Sequence, residues 1–203
     1  MSYYIFNMSL KIYLLDYKNI PLDVLLNSQY ISPMEKESFN KYSVEAVRKE
    51  RIASTYMKNK YIGKYHRNEN GKPICEDKCF NLSHSHGVIV LVIDTVPVGI
   101  DIELTRQVED DLKKFVTNEG EALYVHDETS FYEIWTNKEA TVKADGVGIK
   151  ERPDKLPGLP INDKRVYKDK TYNNRTIKYG DYVITVSRES SEDFSLDINL
   201  EVI

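Results

Sequence analysis

Asp101 and Glu103 alternate with isoleucines in the segment Val98-Gly99-Ile100-Asp101-Ile102-Glu103. A strand there points both carboxylates to one face, roughly 7 Å apart along the backbone. In Trp135-Thr136-Asn137-Lys138-Glu139-Ala140-Thr141-Val142-Lys143, read as a helix, Glu139 and Lys143 stand at i and i+4 and share a face. Three hard oxygen donors suit Mg²⁺, which keeps waters and takes phosphate oxygens as its remaining ligands. Without a cation, carboxylates brought together repel, and one of them becomes harder to ionise. With a lysine beside them they would make a magnesium site that handles phosphate. Each pattern alone has a plainer explanation: a solvated acidic strand face, and a Glu-to-Lys pair that steadies an exposed helix.

The elements that must carry these residues follow from local patterns. Leu10 to Leu15 predicts a first strand. Ser32-Pro33-Met34-Glu35 predicts a helix start, with Ser32 as N-cap, Pro33 in the first turn and Glu35 closing a capping box. Helical character runs on to about Tyr61, with Phe39, Tyr42, Val47, Ile52 and Met57 as buried anchors. Gly71-Lys72-Pro73 signals a turn. Phe80 to Ser83 predicts a strand, His84-Ser85-His86-Gly87 a turn, and Val88 to Asp94 a strongly apolar strand. Val98 to Glu103 is the next strand, followed by helical segments from about Asp110 to Tyr124 and from Ser130 to Lys143. Phe131, Ile134, Trp135 and Val142 mark the apolar side of the second. That helix should stop near Asp145-Gly146-Val147-Gly148. After a Pro/Gly-rich loop over Pro153 to Pro160, three strands are expected at Arg165 to Lys168, Tyr182 to Ser187 and Ser195 to Val202. Each half thus holds a strand, helical material and a hairpin, Asn81 to Asp94 in the first and Lys178 to Ser187 in the second. The pattern predicts an α+β fold of two similar halves, residues 1–96 and 97–203, without a residue-level repeat.

Composition narrows the function classes. The chain has 203 residues, enough for a sizeable core, and 30% of them are charged with a formal net charge of −4. That balance argues against non-specific nucleic-acid binding, so any anion must be held by local cations. Two cysteines, Cys75 and Cys79, are too few for a disulfide scaffold and suit a reducing cytosol. No secretory signal is read at the N-terminus, and the longest apolar run, Val88 to Ile93, is too short to span a bilayer. A cytoplasmic, soluble protein is expected.

Three further groups could contribute. Ser83 and His84, in Phe80-Asn81-Leu82-Ser83-His84-Ser85, could bind phosphate oxygens, or be an ordinary polar turn. Lys72, held between a glycine and a proline, could act as a point charge, and Arg48 and Arg51 as a clamp, or all three could be solvated. Cys75, Cys79, His84 and His86 have the ligand types for zinc but not a usual spacing.

Taken in order, Gly71-Lys72-Pro73, the Phe80 to Ser85 segment, Val98 to Glu103, and Trp135-Thr136-x-Lys138-Glu139-Ala140-x-x-Lys143-x-x-Gly146-x-Gly148 resemble the 4′-phosphopantetheinyl transferase superfamily. The resemblance is closest to its monomeric, duplicated class, and covers Ile31 to Gly148. It implies a pseudo-twofold α+β duplication with the active site in the cleft between the halves. It also implies transfer of the phosphopantetheine arm of coenzyme A to a serine of an apo acyl or peptidyl carrier protein, releasing adenosine 3′,5′-bisphosphate. Asp101, Glu103 and Glu139 would hold Mg²⁺. Arg51, Lys72, Ser83, His84, Asp101 and Lys143 would contact coenzyme A. Lys143 would stabilise the departing phosphate, and Glu139 or Glu119 (with Glu121 as a further candidate) would take the serine proton. A relative that binds coenzyme A or a carrier without turnover is the alternative.

Overall fold

A computed structural model describes residues 8–69, 71–146, 148 and 150–203. Val147, at the expected helix stop, and the N-terminal residues considered as a leader lie outside the described residues. Among the described residues, ten strands and six α-helices follow one another as β1 (Met8–Asp16), α1 (Leu22–Leu26), α2 (Pro33–Ser38), α3 (Glu45–Tyr61), β2 (His66–Arg67), β3 (Pro73–Ile74), β4 (Cys79–Ser85), β5 (Val88–Asp94), β6 (Val98–Leu104), α4 (Asp110–Val116), α5 (Glu119–Tyr124), α6 (Glu128–Asp145), β7 (Lys164–Tyr167), β8 (Lys170–Tyr179), β9 (Tyr182–Glu189) and β10 (Phe194–Leu200). The fold class is α+β, as the patterns predict.

Two four-stranded sheets carry the structure, in the orders β10-β1-β5-β4 and β6-β9-β8-β7. Strand periodicity sorts their side chains by parity. Leu10, Ile12, Leu14, Val88, Val90 and Val92 of the first sheet share one core with Val98, Ile100, Ile102, Ile184 and Val186 of the second. The opposite face of the first sheet, through Leu15, Ile89 and Leu91, is covered by Ile52, Ala53, Tyr56 and Met57 of α3. The opposite face of the second sheet is covered by α6. The last strand, β10, does not stay with its neighbours in sequence: it pairs in parallel with β1, Met8 opposite Phe194. Glu201, just beyond it, is seated among Tyr56, Lys60 and Tyr61 of α3. Residues 97–203 therefore do not form a sheet system separate from 1–96.

The joint between the sheets is made by side chains. Every second residue of β4 reaches β6: Asn81 Oδ1 accepts the Ile100 amide at 3.0 Å, Ser83 Oγ donates to Asp101 Oδ1 at 2.8 Å, and Ser85 Oγ accepts the Leu104 amide at 3.3 Å. Buried donors and acceptors at this edge are thereby satisfied without a backbone ladder.

Several local expectations are corrected. The capping box at Ser32 and Glu35 forms, but the helix it starts ends at Ser38 and resumes only at Glu45. Asn40, Tyr42, Ser43 and Val44 are weak helix formers and fill the gap. Val47 is exposed rather than buried. His84 and Ser85 belong to β4, and the turn consists of His86 and Gly87, both at positive φ as a two-residue hairpin requires. The strand β8 escapes the sequence patterns because Lys170-Thr171-Tyr172-Asn173-Asn174-Arg175 is rich in residues disfavoured in strands. Its entry turn, Lys168-Asp169, adopts left-handed backbone at both positions without a glycine to announce it.

The crossing of α6 over β6 is close. A Cβ on Gly99 would lie 2.0 Å from the Ala140 carbonyl oxygen and 2.4 Å from the Ala144 amide. Both are backbone atoms and cannot swing away. Gly99→Ala should therefore push α6 off the sheet, costing about 3 kcal/mol or more. A thermal melt should show a fall of roughly 6–12 °C for a chain of this size; an unchanged melting temperature would contradict the close crossing.

Candidate functional site

Helix α6 is fixed at both ends. Asp127 caps its N-terminus through the Ser130 amide at 2.7 Å, and Gly146, at φ 81°, ends it in the left-handed conformation. It lies on the second sheet through the expected apolar residues, Phe131 against Val183 and Val142 against Tyr172, with hydrogen bonds between them. Thr136 Oγ1 meets Thr185 Oγ1 at 2.8 Å, Asn137 donates to Thr176 Oγ1 at 2.7 Å, and Arg165 donates to Asn137 Oδ1 at 2.7 Å. Paired this way, the buried polar groups fix the rotation of the helix about its axis.

That rotation, with the close approach at Gly99, brings Glu139 and Lys143 into one cavity with Asp101 and Glu103. The cavity, of about 430 Å³, is also lined by Leu82, Ser83, His84 and Trp135. Lys143 Nζ donates to Asp101 Oδ1 at 2.6 Å and lies 3.0 Å from Ser83 Oγ. Ser85 Oγ donates to Glu103 Oε2 at 2.9 Å. Ser83 and Ser85 thus match Asp101 and Glu103 two residues by two residues. The contact of Ser85 with Glu103 is absent from the sequence reading, and this shared spacing is the signal that points to it.

The electrostatics record the crowding. Burial, then the charges of Asp101 and Glu103, raise the Glu139 carboxyl from its ordinary 4.5 to about 7, against the pull of Lys143. Burial and Asp101 also raise Glu103. Asp101 Oδ2 is buried and has no hydrogen-bond partner among the described residues. A buried carboxylate oxygen without a donor is costly, and a cation would satisfy it. Hard oxygen donors of this kind fit Mg²⁺. The three carboxylates line the cavity without sharing one ligand sphere: among the described residues, no group of three or more His, Cys, Asp and Glu side chains stands ready to hold a metal ion.

The remaining candidates fall in different places. His84 faces α3, where its Nε2 lies 3.3 Å from Glu50 Oε1. Burial of the ring lowers its pKa, Glu50 opposes that, and the charges of Lys143 and Arg51 add to the lowering. Arg51 is thus near His84, exposed on α3. Lys72 lies outside this cavity, in a neighbouring one of about 370 Å³ that also takes in Cys79, Ala144 and Gly146. Glu119 is exposed on α5 and does not line the acidic cavity. Glu121, the further candidate for a base, is buried in an ion pair with Lys138 at 2.5 Å. Lys138, 1% exposed, also donates to the carbonyls of Val116 and Pro153. Neither is available to a ligand; they tie α4, α5 and the loop after α6 to the helix. The zinc grouping does not assemble, because Cys79 and His84 sit five residues apart on one strand, roughly 16 Å along it. Both cysteines are free thiols.

The raised Glu139 carboxyl has a stability consequence in chelator-treated protein. Between pH 4.5 and 7 the folded state keeps a proton that the unfolded chain has released, so stability falls as pH rises through that window. Glu139→Gln should consequently raise the melting temperature at pH 8 by a few degrees and leave it nearly unchanged at pH 4. Equal effects at both pH values would show that the carboxyl is not perturbed.

Residues 97–187, which include Asp101, Glu103, Glu139 and Lys143, match the 4′-phosphopantetheinyl transferase superfamily. The chain is 33% identical over 114 residues to the 4′-phosphopantetheinyl transferase gsp of Aneurinibacillus migulanus, covering 53% of this chain and 45% of that protein. It is 32% identical over 107 residues to the 4′-phosphopantetheinyl transferase Sfp of Bacillus subtilis, covering 48% of each. It is 38% identical over 101 residues to the 4′-phosphopantetheinyl transferase HetI of Nostoc, covering 42% and 43%. The chain spans about half the length of the curated relatives it matches. The acidic strand and the helix that completes its cavity both lie inside the matched region, so it is the site-bearing part of the chain that is similar to the 4′-phosphopantetheinyl transferase superfamily.

Proposed function

We propose that this chain is a 4′-phosphopantetheinyl transferase acting on coenzyme A and an apo acyl or peptidyl carrier protein. The observation that carries this is the convergence of Asp101, Glu103, Glu139 and Lys143 in one cavity at the seam of the two sheets. In the reaction, the carrier serine oxygen forms a bond to the β-phosphorus of coenzyme A. The bond from that phosphorus to the bridging oxygen breaks, and adenosine 3′,5′-bisphosphate leaves.

Asp101, Glu103 and Glu139 would hold Mg²⁺, which would neutralise charge on the pyrophosphate. The protein's own groups supply the rest. Lys143, already among these carboxylates, would exchange Asp101 for an oxygen of the departing phosphate and stabilise its charge. Ser83 would keep Asp101 oriented. His84 and Arg51, on the α3 side, would hold phosphate groups further along the nucleotide. Glu139 lines the cavity beside Lys143, whereas Glu119 is exposed on α5 outside it, which favours Glu139 as the acceptor of the serine proton.

The four central residues come from one chain, so a monomer is sufficient for the chemistry. Free thiols at Cys75 and Cys79 agree with a cytoplasmic setting. No helix among the described residues is long and apolar enough to cross a membrane. A pseudo-twofold relation between the halves is supported by strand order. In one sheet β1 pairs with the second strand of the β4–β5 hairpin, in the other β6 pairs with the second strand of β8–β9, both antiparallel. The cleft of such a duplication is the seam of β4 and β6.

Incubation with coenzyme A, Mg²⁺ and a panel of apo carriers should increase the mass of at least one carrier by a phosphopantetheine. Asp101→Ala should slow that transfer roughly a hundredfold or more, while the variant remains folded. Bound coenzyme A without transfer to any carrier would instead identify a non-catalytic binder.

A further inference from the structure

The four last carbonyls of an α-helix have no partner within the helix. At the end of α6 the Gly146 amide returns to the Val142 carbonyl, and the next carbonyl, that of Lys143, accepts from Lys72 Nζ at 2.6 Å. A cation at this end also meets the negative pole of the helix. The same residue, Lys143, carries the ammonium that sits on Asp101. The two lysines are therefore joined in series, Lys72 to the backbone of Lys143 and the Lys143 side chain to the acidic cavity.

Lys72 is itself held rigidly. Asn68 Oδ1 accepts the Lys72 amide at 2.9 Å, and the Asn68 amide donates to the Lys72 carbonyl at 2.9 Å. Arg67 donates to the Gly71 carbonyl at 2.6 Å, and Arg67 pairs with Pro73 across the β2–β3 ladder. Gly71, at φ 77°, makes the turn that delivers the lysine. On the other side, a Cβ on Gly146 would lie 3.3 Å from the Lys72 ammonium, so the glycine leaves the approach open. Lys72 lines the neighbouring cavity rather than the one that holds Asp101.

We propose that Lys72 is a positioning residue: its ammonium clamps the Lys143 carbonyl at the end of α6 and so sets where the Lys143 ammonium stands, instead of binding a phosphate of the substrate. This rests on the proposed transfer reaction, in which Lys143 meets the departing phosphate. Misplacing such a group by about 1 Å can slow chemistry roughly a hundredfold.

The test is Lys72→Met beside Lys72→Arg and the unaltered chain, with three readouts: the kcat of transfer, the Kd for coenzyme A, and amide hydrogen exchange in the last turn of α6. Lys72→Met should lower kcat by roughly tenfold or more, leave the Kd within about threefold, and speed exchange at the helix end. Lys72→Arg, which keeps a cationic donor, should restore kcat to within about threefold. A Kd weakened about tenfold with kcat and exchange unchanged would overturn the proposal and make Lys72 a phosphate ligand. If Lys72→Met does not fold, the ¹⁵N resonance of the Lys72 ammonium in the unaltered chain decides: it should stay in place when coenzyme A is added, and a marked shift would overturn the clamp. Absence of transfer by the unaltered chain would count against the transferase reading alone, since exchange, Kd and the ammonium resonance still judge Lys72.

Discussion

The contact of α6 with β6 at Gly99 is the constraint on which the site depends. With no side chain at that position, helix backbone rests directly on strand backbone, against Ala140 and Ala144. Glu139 and Lys143, on adjacent turns around Ala140, then reach the strand residues two and four places beyond Gly99. A larger residue would lift the helix and separate the two sources of charge. The spacing of Gly99, Asp101 and Glu103 along one strand face is therefore one geometrical unit.

Around that contact the protein places charge in two layers. In the cavity, three carboxylates face one ammonium, and the imbalance appears as the raised Glu139 and the unpartnered Asp101 oxygen. Behind the helix, Lys138 and Glu121 are fully buried and paired, with their remaining hydrogen-bonding capacity taken by Val116, Pro153, Asn118 and Gly158. Breaking a pair of this kind is costly, because the survivor is an uncompensated buried charge. The outer layer is electrostatically closed and structural. The inner layer keeps a buried carboxylate oxygen, Asp101 Oδ2, without a donor among the described residues.

Much of this was legible in the sequence, for identifiable reasons. Alternation at Val98 to Glu103 and the apolar run at Val88 to Asp94 are period-two signals strong enough to place β6 and β5. Capping chemistry placed the start at Ser32 and the stop at Gly146. What could not be seen is tertiary. Lys138 and Glu139 are neighbours in one motif, yet one is locked behind the helix and the other faces the cavity, a distinction made by the rotation of α6. Phe131, Ile134 and Val142 announced the buried side of that helix, but Thr136, Asn137 and Thr141, which dock it through hydrogen bonds, carry no hydrophobic signal. The pairing of β10 with β1 joins residues far apart in sequence, and no local signal reports it. Lys72 was visible as a constrained cation, but not the carbonyl it would meet.

The central claim is that the crossing of α6 over β6 builds an oxygen-lined cation site for a pyrophosphate. Its most direct test is titration of Mn²⁺, followed by electron paramagnetic resonance, into the protein with coenzyme A present. One ion should bind per chain, with line broadening from the phosphorus nuclei, and Asp101→Asn should weaken its binding by at least about tenfold. Equally tight Mn²⁺ binding to Asp101→Asn, or an ion without phosphorus broadening, would contradict the assignment.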